Sequence, residues 1–185
     1  MTMIRLAFLI RDMLKEVGED TDREGLKDTP TRAARAWLYW TSGYEENPND
    51  ILKSFEDGGE TYDEMILVRG IPFYSHCEHH MAPFFGSVTI GYVPNGKILG
   101  LSKFSRLVDM FAHRLQVQER LTEQIANALT AYLKPKGVAV SITARHLCME
   151  SRGIAKQGSE TITNELQGVF RTDPAARLEF LTSTR

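Results

Sequence analysis

Residues 138–149 read VAVSITARHLCM. In a strand successive side chains point to opposite faces, so Val138, Val140, Ile142, Ala144, His146 and Cys148 share one face. The first four describe a buried face, and His146 and Cys148 continue it where the strand should end. An imidazole and a thiol two residues apart on one face lie about 7 Å apart at Cα, close enough to serve one site. Taken alone the pair has a plainer reading: a free cysteine is often a small buried hydrophobe, and a histidine a satisfied core residue. The strand is entered from a breaker, Pro135-Lys136-Gly137, and is followed by a second strand-like run, ETITNELQGVF at 160–170.

Outward from these two strands the chain alternates between sheet and helix. EMILVRG and IPFYSH are strand-like. FFGSVTIGYV (84–93) alternates into the turn PNGK (94–97) and then ILGL, which reads as a β-hairpin. Two helical patterns follow. SKFSRLVDMFAHR (102–114) sets Phe104, Leu107, Val108 and Phe111 on one face, and residues 118–134 set Leu121, Ile125, Leu129, Tyr132 and Leu133 on one side. Near the start, residues 2–44 look helical. Thr29 serves as N-cap and Pro30 as first helical residue of a helix that turns Ala33, Ala34, Trp37 and Leu38 inward and stops at Gly43. The polar stretch 44–60 is a turn-rich loop with one short helical piece, and Asp173-Pro174 opens a final helix. Antiparallel strands with helices segregated from them predict an α+β fold.

The composition, 42% hydrophobic and 25% charged over 185 residues, is that of an ordinary globular protein. A net charge of −2 gives no global pull toward nucleic acid or a membrane surface, so any anion-binding surface is local. The N-terminal run MTMIRLAFLIRDMLKEVGED is interrupted by Arg5, Arg11 and Asp12, and its apolar positions Ile4, Leu6, Ile10, Met13, Leu14 and Val17 suit a helix face rather than a signal peptide. No stretch approaches a membrane span, and the chain reads as cytoplasmic. There two cysteines 71 positions apart point to metal or catalysis before a disulfide.

Residues 75–85, SHCEHHMAPFF, gather three of the five histidines with one of the two cysteines. Cys77 and His80 are three apart, a spacing that wraps a turn around a tetrahedral ion. With Cys148 as a distant third ligand the set is two thiolates and an imidazole, donors suited to zinc. Three protein ligands leave a fourth position open, the pattern of a catalytic zinc site. His79 and His146 are then left over as proton carriers near neutral pH. The alternative makes His79 the ligand and His80 the acid–base group, and spacing does not separate the two.

A basic group accompanies the cluster. Ser102, Lys103 and Arg106 lie at or near a helix start, where free N–H groups favour anions. Arg152 follows Cys148 closely, and Arg32 and Arg35 share a helix face. Such charges are often only solvated; converging, they would form a polyphosphate pocket with bidentate arginine contacts. Gln118 and Glu119 open the second helix of the pair. A carboxylate there commonly just complements the helix dipole, but it also matches the two parallel donors of a guanine edge.

Together CEHH with PFFG, GLSKFSRLVDMFA with RLQVQERLT, GVAVSI with ARHLCM and RG, and DTP with Arg32 resemble GTP cyclohydrolase type I, from about residue 5 to the C-terminus. The resemblance implies a T-fold, a four-stranded antiparallel sheet with two helices packed on one face. This catalytic domain, residues 61–185, follows an N-terminal helical segment, residues 1–60. It further implies a homodecamer of two pentamers with active sites at subunit interfaces, and conversion of GTP and water to 7,8-dihydroneopterin triphosphate and formate. By the same analogy zinc falls to Cys77, His80 and Cys148, and acid–base work to His79 and His146. Glu119 with Gln118 would hold the guanine edge, while Ser102, Lys103, Arg106, Arg152 and Arg32 would bind the triphosphate and ribose. Two rivals rank below it. A related nitrile reductase needs a nucleophilic cysteine, whereas both cysteines here are placed as ligands; a zinc-stapled binding module needs a fourth ligand.

Overall fold

The computed structural model describes residues 2–56 and 59–184; Asp57 and Gly58, within the expected polar loop, lie outside the described residues. Contacts divide the chain into Met1–Ser42 and Gly43–Arg185, where the sequence reading set its boundary at residue 60. In the first unit α1 (Met3–Glu16) packs on α2 (Thr29–Trp40), with Ile10 and Ala34 buried. Thr29 is itself helical, one place inside the expected cap, and α2 ends at Trp40 instead of reaching Gly43. Pro30 sits in the first turn, where a missing N–H costs nothing.

The second unit opens with α3 (Pro48–Ile51), whose first turn is capped by Asn47 Oδ1 accepting from the Asn49 N–H at 2.9 Å. After β1 (Ser54–Phe55) come β2 (Ile66–Cys77), β3 (Pro83–Val93) and β4 (Ile98–Leu99). Then follow α4 (Ser102–Ala112), β5 (Leu115–Gln116), α5 (Gln118–Leu133) and β6 (Gly137–His146). The chain finishes with α6 (Leu147–Glu150), β7 (Thr161–Gly168), α7 (Val169–Thr172) and α8 (Pro174–Ser183). No helix among the described residues is long and apolar enough to cross a membrane.

The main sheet has the order β5-β2-β3-β6-β7. Its four long strands are antiparallel, and the two-residue β5 runs parallel to the end of β2. One face carries Phe84, Val88, Ile90 and Tyr92 of β3 beside Val138, Val140, Ile142 and Ala144 of β6, all buried. Against it lie the expected helix faces, Phe104, Leu107, Val108 and Phe111 of α4 and Leu121, Ile125, Leu129 and Leu133 of α5. Burying each large aliphatic of this layer is worth about 1.5–3 kcal/mol. Ala139, Leu166, Phe170 and Phe180 form a smaller cluster of their own. This is the α+β layout, four antiparallel strands with two helices on one face, that the sequence predicts.

Three local expectations change. EMILVRG and IPFYSH contribute to one strand, β2, bulged between Val68 and Ile71 where Gly70 takes φ +68°. The segment ILGL does not fold back on β3; β4 pairs with β1, Ser54 opposite Leu99. Both edges of β3 are already taken, by β2 and β6, so no place remains there for a third strand. The real hairpin is β2–β3, and its turn is the histidine-rich stretch. Finally, β6 ends at His146, and Cys148 sits on the one-turn helix α6.

Candidate metal centre and its surroundings

Cys77 closes the β2–β3 hairpin. Its N–H donates to Ala82 O at 2.9 Å, and its carbonyl accepts from His80 N–H at 3.3 Å and Met81 N–H at 2.7 Å. Met81 takes φ 54°, the left-handed conformation. The turn sets both His79 Nδ1 and His80 Nδ1 beside the Cys77 thiol, at 3.9 and 3.8 Å from Sγ. Cys148 arrives from across the sheet. Strand register pairs Phe84 with His146, so the end of β6 lies beside the start of β3 and delivers α6 to the turn.

Among the described residues one group of His, Cys, Asp or Glu side chains is placed to hold a metal ion. Cys77, His80 and Cys148 offer ligand atoms all within 4.8 Å of one another. His79 lies as near to Cys77 but is outside this trio, so it is Cys148 that distinguishes the two histidines. A tetrahedral ion with bonds of about 2.0–2.3 Å needs ligand separations of about 3.5–3.8 Å, which the Cys77–His80 pair already meets. Burial, and after it the neighbouring Cys77 thiol, push the Cys148 thiol up. A bound cation would reverse this by favouring both thiolates.

His146 stands beside the trio with its ring flat against Phe84, centroids 4.7 Å apart and planes 2° from parallel. Its Nε2 is 2.8 Å from Gln118 Oε1. An amide oxygen only accepts, so Nε2 carries a proton, and in the neutral ring Nδ1 is the acceptor left over. Gln118 is locked in this orientation. Its Nε2 faces the carbonyls of Ile142 and Thr161 at 3.0 Å each and Thr163 Oγ1 at 3.1 Å, and the residue is 1% exposed. The sequence reading set Gln118 beside Glu119 on a guanine edge. The structure turns the Gln118 amide inward to His146 with its hydrogen-bonding groups engaged, and leaves Glu119 exposed. Burial lowers the His146 pKa, and the charge of Glu119 acts in the opposite sense.

Two bidentate ion pairs flank the cysteines. Glu78, next to Cys77, receives Arg120 Nη1 at 2.6 Å and Nη2 at 2.9 Å. Glu150, two residues beyond Cys148, receives Arg145 Nε at 2.9 Å and Nη2 at 2.6 Å. The arginine in each case holds the carboxyl below the usual range. The sequence reading missed both pairs. Arg120 lies 42 positions from Glu78, and Arg145 and Glu150, only five apart, straddle the end of β6 where strand spacing no longer applies.

The basic residues divide. Arg152 is near enough to Cys148 for its charge to favour the thiolate. Ser102, Lys103 and Arg106 belong to the beginning of α4. That helix starts just after β4, whose Leu99 N–H donates to Tyr92 Oη, and ends just before β5, which pairs with His76 and Cys77. Its 11 residues span about 16 Å, so within one chain Ser102 and Lys103 lie toward the opposite end of the sheet from the thiols, with Arg106 one turn nearer. Arg32 and Arg35 lie in the first unit, where they line a surface pocket with Asp28 and Thr31.

A family model described as GTP cyclohydrolase I matches residues 7–185. The chain belongs to the GTP cyclohydrolase I family. It is similar to three proteins named GTP cyclohydrolase 1. That of Janthinobacterium sp. (strain Marseille) is 60% identical over 175 residues, covering 95% of this chain and 88% of that protein. That of Nitrosospira multiformis is 59% identical over 91% of this chain and 88% of its own length. The Saccharomyces cerevisiae protein is 56% identical over 96% of this chain and 73% of its own. As a member of the GTP cyclohydrolase I family the chain is an enzyme, and the cluster of Cys77, His80 and Cys148 is the metal-competent group its fold assembles.

Proposed function

We propose that the protein hydrolyses GTP at guanine C8, releases formate and rearranges the remainder to 7,8-dihydroneopterin triphosphate, with Zn²⁺ held by Cys77, His80 and Cys148. The observation that carries this reading is the meeting of those three ligand atoms within 4.8 Å, two from a hairpin turn and one from beyond a distant strand. When bound, Zn²⁺ supplies Lewis acidity for the hydrolytic steps. The donor set, two thiols and an imidazole, fits that ion and leaves a coordination position for a non-protein ligand.

The remaining work falls to side chains. As the imidazolium His146 would give its Nδ1 proton to the purine, and the neutral ring left behind, still protonated at Nε2 against Gln118, would take a proton back at Nδ1. Protonating N7 makes C8 electrophilic, and a second carrier, His79, stands exposed in the turn. The Glu119 carboxylate accepts from N1–H and the 2-amino group of guanine. Arg152, Arg32, Ser102, Lys103 and Arg106 bind the triphosphate and ribose end, which does not react but holds C8 in place.

Because the start of α4 lies far from the thiols of its own chain, a second copy brings Ser102, Lys103 and Arg106 to each site. We therefore read the active form as a homo-oligomer, a decamer of two pentamers with interfacial sites. The exposed Ile4, Phe8, Leu9, Met13 and Val17 of α1 supply apolar surface for such assembly. Unpaired thiols used as ligands suit the reducing cytoplasm.

Purified protein with Zn²⁺ and GTP should develop the ultraviolet absorbance of a pteridine with stoichiometric formate. It should contain about one zinc per chain, and Cys148→Ala should remove both metal and turnover. Metal-replete wild-type protein that leaves GTP untouched would overturn the reading.

A further inference from the structure

Cys77 is the last residue of β2 and is tied by its backbone to Ala82 and Met81, but the other two candidate ligands sit on short pieces of chain. His80 is on an exposed turn, and Cys148 is on a helix of four residues, too short to be stable on its own. Cys77 Sγ and His80 Nδ1 nevertheless stand 3.8 Å apart, at ligand spacing.

We infer that Glu78 and Glu150 are positioning residues for the metal, each anchoring one cysteine-bearing segment through a two-pronged bond to an arginine on a long, packed element. Glu78 follows Cys77 directly, and both of its carboxylate oxygens are taken by Arg120. Its own N–H donates to Gln116 O at 3.0 Å. Arg120 belongs to the first turn of α5, a 16-residue helix whose apolar side is buried in the core. On the other side Glu150, with a side chain only 6% exposed, is gripped by Arg145 near the end of β6.

The two anchors are joined. Gln118, two residues before Arg120, accepts from His146, the neighbour of Arg145. The two forks are therefore linked through the backbones of α5 and β6, which the Gln118–His146 bond ties together. An isolated exposed ion pair would contribute little. These two differ in that both prongs of each are made and both sit within two residues of a ligand. Groups that hydrogen-bond a metal ligand directly commonly affect metal affinity by about 10–100-fold, and Glu78 and Glu150, acting on the ligands' backbone, are expected in the same range.

The inference rests on the zinc reading above, and the test separates the two. Zn²⁺ affinity of the stripped protein is measured by competition with a chromophoric chelator for wild type, Glu78→Gln, Glu150→Gln and the double variant. Melting temperatures of the metal-free forms are recorded alongside. Each single variant should bind Zn²⁺ about 10–100-fold more weakly, the double variant more weakly still, with little change in metal-free melting temperature. Saturating Zn²⁺ should restore most of the turnover, which a variant damaged in its general fold would not show. Should a glutamine variant fail to fold, Arg120→Lys and Arg145→Lys keep the charge while losing the fork, and the same loss of affinity is expected. Unchanged Zn²⁺ affinity in the folded variants would overturn the inference. A wild-type chain that binds no Zn²⁺ would overturn the zinc reading itself.

Discussion

At one end of the sheet the β2–β3 turn, the end of β6 and the first turn of α5 meet, and one chain supplies everything they hold. Three ligand atoms, the His146–Gln118 bond and two ion-pair forks all close within it. Toward the other end the start of α4 presents Ser102 and Arg106 to solvent and Lys103 half-buried. The first region closes on itself, and the second faces solvent. Metal chemistry tolerates only small displacements, so it is assembled from elements whose register is fixed by one sheet. In the proposed oligomer a neighbouring copy would supply the charge and reach that anchoring an unreactive triphosphate needs.

The largest effect that would break this contrast comes from mixing chains. Cys148→Ala alone should be inactive, and Lys103→Ala with Arg106→Ala should lose roughly 100-fold or more in kcat/KM, at about 1.5–3 kcal/mol per charged contact. If each site joins one chain's metal end to another's α4, co-assembled oligomers of the two variants contain some intact sites. A random equal mixture should recover about a quarter of wild-type turnover by the statistics of neighbouring subunits. Denaturing and refolding the variants together, then assaying pteridine formation, checks this. No recovery in mixed oligomers shown to be co-assembled would place both ends in one chain's site.

A smaller effect sharpens what the metal end itself does. Glu119→Ala removes the exposed carboxylate from α5 and should raise the KM for GTP by about 10–100-fold, the worth of a charge-assisted pair of hydrogen bonds. Zinc content should stay at the wild-type level, because Glu119 touches none of the ligands' supports. Calorimetric GTP binding that survived the substitution would refute its place on the guanine edge.

How much of this was legible in the sequence follows from the range of each interaction. The buried faces of β6, α4 and α5 were readable because periodicity is local and each face packs as one unit. The PNGK turn misled because a turn signal is local while strand pairing is not; β3 had no free edge for Ile98 and Leu99 to join. Cys148 was placed on a strand that stops two residues earlier. His79 and His80 were inseparable by spacing, and in space their Nδ1 atoms still differ by only 0.1 Å in distance from Cys77, 3.9 against 3.8 Å. The third ligand breaks the tie, and it lies across the sheet. Gln118 carried no sequence mark of its inward role, since its contact with His146 spans 28 positions.

The smallest effect concerns the turn that presents His79 and His80. Met81 adopts φ 54° and is 51% exposed, so its side chain packs little while its backbone bears the left-handed conformation. That conformation costs an L-residue about 1–2 kcal/mol, whereas glycine adopts it freely but loses about 0.5–1 kcal/mol more in chain entropy. Met81→Gly should therefore stabilise the metal-free protein by about 1 kcal/mol or less, a rise of about 2–4 °C at most in melting temperature. Zn²⁺ affinity should not move, because the Cys77 carbonyl still receives the N–H groups of residues 80 and 81 and the Glu78–Arg120 fork is untouched. A variant that melts higher yet binds Zn²⁺ more weakly would show that stiffness of the turn, more than the forks beside it, sets the ligands in place.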